Sequence, residues 1–212
     1  GANQTGIYSA NGKVTVTANA AEKIQTSGPI GKGIHVLDGG SVDSINYSYS
    51  LTGDNSIGID GESDAVGINV ENGTMTVTGN SSFGIRSYID DKGSNDKFNV
   101  ENLSIEMTNG ADQTGIFSEN GRVNVTADSE TLISIDDQGG KGIHVSTGGS
   151  VVTENYSYRL MGATSHGIYS TAGLVEMSGG DITLDSNQSS YGIYAFSNDQ
   201  ISVDVTGATI DV

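Results

Sequence analysis

Gly1-Ala2-Asn3-Gln4-Thr5-Gly6-Ile7-Tyr8-Ser9 returns 109 residues later, from position 1 to position 110, as Gly110-Ala111-Asp112-Gln113-Thr114-Gly115-Ile116-Phe117-Ser118. Lys32-Gly33-Ile34-His35-Val36 returns at the same offset as Lys141-Gly142-Ile143-His144-Val145, and Asn46-Tyr47-Ser48-Tyr49 as Asn155-Tyr156-Ser157-Tyr158. A shorter period of about 25–27 residues is nested inside it, marked by Gly-Ile at Ile7, Ile34, Ile59, Ile85, Ile116, Ile143, Ile168 and Ile193. Units this short cannot hide a hydrophobic face alone and must stack on their neighbours to build a core.

Within a unit the pattern reads strand, turn, strand, looser segment, next Gly-Ile. Gly6 to Ser9 forms a short strand, and Asn11-Gly12 turns, because both residues tolerate positive φ. Lys13 to Ala18 then alternates, with Val14 and Val16 on one face and Thr15 and Thr17 on the other. Gly115 and Gly167 open units of the same form, with Asn120-Gly121 and Ala172-Gly173 as turns. The Gly before each marker Ile is expected at a tight bend between faces. The register of the third unit stays open: Gly67-Ile68 adds a second marker, and Glu71 to Thr78 echoes Ala10 to Thr17.

The apolar set, about 20 Ile and 17 Val against about 7 Leu, favours pleated strands over helices. With 31 Gly the chain resists long helices. Stacked coils put Ile over Ile at about 4.8 Å per rung, each burial contributing about 1.5–3 kcal/mol. The expectation is an all-β, right-handed parallel β-helix of about eight rungs, one segment over 1–212 with repeat halves 1–109 and 110–212. An antiparallel sandwich is the structural alternative. Scarce Leu excludes a leucine-rich solenoid.

The net charge of −17 repels phosphates and anionic head groups, so neither nucleic acid nor a lipid surface is an expected partner. No run of about 20 apolar residues could span a bilayer as a helix, so direct membrane insertion is not expected. With no Cys there is no disulfide, thiolate metal site or Cys nucleophile. The sequence begins without an initiating Met or a signal peptide, and reads as a segment or mature product.

The pattern Gly-Ile-Tyr/His-x-x-x-Gly-x-Val-x-Val, carried by residues 6–17, 33–42, 115–126 and 167–177, resembles the passenger region of autotransporters of Gram-negative bacteria. The resemblance implies a parallel β-helix on the cell surface or outside the cell, anchored through a C-terminal outer-membrane barrel not included here. It implies adhesion or self-association as the leading roles, with proteolysis and esterase work also found in the family; fold alone does not choose among them.

If each marker Ile points inward, the next residue points out. That column reads Tyr8, His35, Asp60, Arg86, Phe117, His144, Tyr169 and Tyr194. Rings with a flat apolar face and a polar tip suit sugars and protein surfaces, so Tyr8, His35, Phe117, His144, Tyr169 and Tyr194 are the candidate ligand contacts. A ladder that merely stabilises the rod is the simpler alternative. Asp60 and Arg86, on adjacent rungs, are expected to form a surface ion pair worth about 0–1 kcal/mol.

No catalytic residue, cofactor or metal is expected. His35 and His144 stand four rungs apart, roughly 19 Å, too far to share an ion. Asp60 to Asp64 and Asp90 to Asp96 are acidic but match no EF-hand or nonapeptide Ca²⁺ repeat, and read as solvated loops. The insertion from Tyr88 to Phe98 is expected to emerge as a loop. His166 lies outside any recognisable triad, and no Gly-x-Ser-x-Gly elbow is present. The functional expectation is a non-enzymatic adhesin or stalk segment that binds a host-cell glycan or protein receptor or associates with itself. A glycan-degrading β-helix hydrolase or lyase and a purely structural spacer are the alternatives.

Overall fold

Each marker isoleucine lies over the next. In the computed structural model, which describes residues 1–18, 22–89, 98–185, 188–196 and 201–212, Ile7 faces Ile34, and the register continues through Ile59, Ile85, Ile116, Ile143 and Ile168 to Ile193. The strands that carry them are Thr5–Ala10, Lys32–Leu37, Ile57–Gly61, Phe83–Ser87, Thr114–Glu119, Lys141–Ser146, His166–Ser170 and Tyr191–Ala195. They form one eight-stranded, all-parallel sheet, the first face of a β-solenoid. Eight strands enclose seven rises, about 34 Å of rod at the usual strand spacing. Every strand pairing among the described residues is parallel, which excludes the antiparallel sandwich.

The second and third faces merge at a shallow corner into one larger sheet. In early coils they are separate strands, such as Lys13–Thr17 and Lys23–Ser27, whereas Gly67–Thr78, Phe98–Thr108, Arg122–Ile135 and Ser150–Leu160 run through both. The corner is turned by asparagines in the left-handed region, Asn46, Asn72, Asn102 and Asn155, a conformation Asn tolerates better than other non-glycine residues. This settles the third unit. Ile68 pairs with Val42, and Met75 and Val77 pair with Tyr49 and Leu51. Gly67-Ile68 therefore opens a second-face strand, and the echo of Ala10–Thr17 in Glu71–Thr78 is misleading.

The glycine before each marker Ile is not at a bend. All eight lie inside strands, none with positive φ. Their missing side chains form a socket on the inner wall. A Cβ on Gly142 would meet Tyr158 Cδ1 at 2.9 Å and the Gly167 carbonyl oxygen at 2.6 Å. Gly6, Gly58, Gly115 and Gly167 face Ile24, Met75, Ile133 and Ile182 in the same way. Both Gly and Ile thus point inward, and the large third-face side chain of each coil fills the space left by the glycine.

The core runs the length of the rod. Ile34, Ile59, Ile85, Ile116, Ile143 and Ile168 are fully buried, and so are Val42, Ile68, Phe98, Val123 and Val151 on the second face. Ile193, on the last described coil, is 37 % exposed.

One irregularity is repaired from a distance. Thr126 pairs with Glu154 and Thr131 with Tyr156, so residues 127–130 bulge out of the ladder. The bulge interrupts pairing with the preceding coil between Glu101 and Ile105, beside Leu103. The buried Tyr156 hydroxyl reaches past the intervening coil, accepts from the Leu103 amide at 2.9 Å and donates to the Leu103 carbonyl at 3.1 Å. Backbone groups that the ladder leaves open are satisfied by one side chain.

Candidate functional site

The residues following the marker isoleucines form an outward column in register, from Tyr8 to Tyr194. Its chemistry divides it into two regions.

The first is a charged cluster. Asp60 is completely buried. Arg86 clasps it with two bonds, Nε to Oδ1 at 2.8 Å and Nη2 to Oδ2 at 2.9 Å. The Lys32 ammonium adds a third at 2.5 Å. The expected surface ion pair is therefore a buried one, because Lys32, Arg86 and their neighbours close over the carboxylate. Glu62 lies 3.7 Å from Lys32 and balances the second cation. Lys32 also donates to His35 Nε2 at 2.9 Å. Burial and the adjacent ammonium hold the His35 pKa below its ordinary value, against the opposing pull of Asp60 and Glu62. His35, Asp60 and Glu62 come close enough to bracket a metal ion, but the Lys32 ammonium lies among all three, so the chain supplies its own cation. Asp60 and Glu62 are thus committed to the cluster and do not form a solvated acidic loop. The second acidic stretch, Asp90 to Asp96, and most of the Tyr88–Phe98 insertion lie outside the described residues.

The second region is aromatic. Phe117 meets His144 edge-on at 5.0 Å, and His144 meets Tyr169 at 4.9 Å. Tyr169 and Tyr194 stack with planes 7° apart. A parallel column joins them: His166 stacks on Tyr191 at 5.5 Å and touches the edges of Tyr169 and Tyr194. The Lys141 ammonium lies 5.5 Å from the Tyr169 ring centre. His144, Tyr169, Tyr194, His166 and Tyr191 together make a five-ring patch over the last three coils. Burial, and secondarily Lys141, push the His144 pKa down to about 4, and lower that of His166.

The six expected contacts thus fare differently. His144, Tyr169 and Tyr194 come together. Phe117 is 7 % exposed, covered by Phe83, Tyr88 and His144, and offers almost no ring surface. Tyr8 and His35 meet edge-on at 5.6 Å, but Asp60 and Arg86 separate them from the rest of the column. His166 and Tyr191 are the additions. Strict alternation from the marker Ile turns them inward, but consecutive inward Gly and Ile break the alternation and turn the residue before the glycine outward. The aromatic character of both positions next to Gly167 and Gly192 was the available signal.

A polar groove of about 540 Å³ runs along the second face. Its floor is a ladder in register, in which Asn69 donates to Asp43 at 2.9 Å, Asn99 to Asn69 at 3.2 Å and Asn124 to Asn99 at 2.9 Å. Lys13 closes one end on Asp43. Glu71 and Glu101 are exposed, in register on adjacent coils, and line its wall. No protein family, curated protein or solved structure matches the chain.

Proposed function

We propose that this chain is a non-enzymatic binding rod of a bacterial cell-surface or secreted protein, an adhesin or stalk segment that takes a glycan on its aromatic patch. The observation that carries the reading is the five-ring cluster at His144, Tyr169, Tyr194, His166 and Tyr191. Stacked rings are held in place before a ligand arrives, so binding costs little side-chain ordering. The outward edges of the stacked rings, with their phenol hydroxyls and imidazole nitrogens, suit the hydroxyls of a sugar. The strong negative charge favours a neutral or cationic partner over an anionic one. The autotransporter-like Gly-Ile-Tyr/His pattern supports display on the cell surface.

A panel of immobilised glycans and host-cell surface proteins, probed with the whole chain, tests this. Tyr169→Ala combined with Tyr194→Ala should abolish capture while the far-ultraviolet circular dichroism stays unchanged. Capture that survives the double substitution would remove the patch from the proposal.

A second reading has one observation in its favour. Glu71 and Glu101 sit across adjacent coils in an open groove, the residue type and closeness that retaining glycosidases use. Turnover of any glycan by the native chain, lost in Glu71→Gln and in Glu101→Gln, would replace the adhesive reading with an enzymatic one.

A further inference from the structure

The charged cluster on the first face has the form of a ligand set around a cation. His35 and Asp60 are in-register neighbours on adjacent coils, and Glu62, just past the end of the Asp60 strand, adds a second carboxylate. One nitrogen and two carboxylate oxygens of these residues all lie within 4.8 Å of one another. His35 Nε2 stands 3.7 Å from Asp60 Oδ2 and 3.5 Å from Glu62 Oε1. Ligand atoms held tetrahedrally at zinc distances of about 2.0–2.1 Å stand about 3.3 Å from each other, so two edges of the ligand triangle already have nearly the required length.

The position these atoms surround is held by a stand-in cation, the Lys32 ammonium, 2.5 Å from Asp60, 2.9 Å from His35 Nε2 and 3.7 Å from Glu62. An ammonium can only donate, so Nε2 is the ring nitrogen that carries the lone pair, the form in which imidazole binds metals. Arg86 bonds both oxygens of Asp60 and fixes the direction of its carboxylate, as the partners behind metal ligands do. An open pocket of about 280 Å³, lined by His35, Leu37, Asp38, Glu62, Ser63 and Asp64, adjoins the cluster and gives a way in. The second half of the long repeat supplies a contrast. It keeps the lysine and the histidine as Lys141 and His144, but Tyr169 and Thr171 stand at the positions of Asp60 and Glu62. The Lys–His pair is common to both halves, and the carboxylates that turn it into a ligand set belong to the first alone.

We propose that His35, Asp60 and Glu62 bind a divalent transition ion of the zinc type, which takes the place of the Lys32 ammonium. Lys32 is already 15 % exposed, and its flexible stem carries the ammonium out to water without movement of the backbone. Three protein ligands and one water then complete the four positions that zinc prefers, with the water on the pocket side. Glu62, 39 % exposed and the least constrained of the three, closes the remaining distance. The imidazole nitrogen selects zinc-type ions over calcium and magnesium, which take oxygen ligands. The net charge of −17 gathers cations at the surface. Neither the aromatic patch nor a glycan is involved, so the metal site and the ligand reading of the patch stand or fall separately.

Zinc chloride titrated into the whole chain in competition with a chromophoric chelator should show one specific equivalent bound. The chain has three histidines, and nitrogen-15 spectra of their imidazoles at that equivalent should show His35 Nε2 shifted and His144 and His166 unmoved. Calcium at the same concentration should shift none of them. His35→Ala removes a ligand and should weaken zinc binding by more than the roughly tenfold that loss of a supporting partner costs. Lys32→Met keeps the stem and removes the competing ammonium, so the site no longer spends most of its time closed to the metal, and zinc should bind about tenfold more tightly. Circular dichroism checks the fold of each variant; if Lys32→Met does not fold, the His35→Ala comparison and the imidazole spectra decide. Equal zinc affinity in the native and His35→Ala chains, shifts confined to His144 and His166, a calcium response equal to that of zinc, or no tightening in a folded Lys32→Met chain overturns the proposal.

Discussion

Asp60 shows how stacking changes the meaning of a residue. In the sequence it heads an acidic stretch; in the rod it is a wholly buried anion held by Arg86 and Lys32 from the two neighbouring coils. Removing one partner of such a cluster leaves the others charged and poorly solvated. Asp60→Asn should therefore destabilise the rod by about 3–5 kcal/mol, measured by urea denaturation, and far more than an equivalent change at the exposed Asp204. His144 and His166 both make the aromatic patch pH-dependent in the same sense, because burial lowers the pKa of each. The folded pKa of His144 is about 4 against an ordinary value of 6.5. Between those values the unfolded chain binds a proton that the folded chain refuses, so stability is lost as pH falls from about 6.5 toward 4. His144→Phe keeps a ring in the stack and removes this titration. Its melting temperature should fall less than that of the native chain between pH 7 and pH 4.5, and parallel melting curves would show that this imidazole is not responsible.

At the scale of the strand and the turn, what was legible was the part written once per coil. The marker isoleucines, the parallel stacking and the outward side of the column follow from a period of about 26 residues and the two-residue alternation of a strand. The sockets were hidden, because a glycine beside an isoleucine looks the same in sequence whether the chain bends there or a distant tyrosine needs its space. The third-face side chains opposite, such as Tyr158 at Gly142 and Met75 at Gly58, distinguish the two. The patch residues His166 and Tyr191 were missed for the same reason. The burial of Asp60 and Phe117 was hidden because it depends on what neighbouring coils place above them. The repair at Leu103 lay deeper still, since it joins coils whose residues are 53 apart in sequence. Its energetic role is specific. Tyr156→Phe preserves the ring and the packing but leaves a buried amide and carbonyl without their partner, at a cost of about 1–3 kcal/mol for each group left unsatisfied. Tyr47, its counterpart in the first half of the repeat, is only half-buried. Tyr47→Phe should cost much less in the same denaturation assay, and equal losses from the two would show that the hydroxyl of Tyr156 has no special part.

A stack in which each coil, the Tyr156 bond to Leu103 apart, packs on its neighbours has a stability profile along its axis as well as a total. Interior coils have two interfaces and terminal coils one, so opening is least costly at the ends. The burial of the described strands follows this gradient. Every residue of Thr209–Asp211 is exposed and Lys13–Thr17 is at most half-buried, while Phe98–Thr108 and Ser150–Leu160 carry fully buried residues on both the second and third faces. Amide hydrogen exchange of the dilute chain should accordingly be fastest in Thr209–Asp211, Ile201–Thr206 and Lys13–Thr17. Protection should rise toward Phe98–Thr108, Arg122–Ile135 and Ser150–Leu160, by several orders of magnitude in exchange rate. A flat profile at low concentration would mean that the coils open as one cooperative body, and the core would have to be treated as a single unit in place of a sum of interfaces.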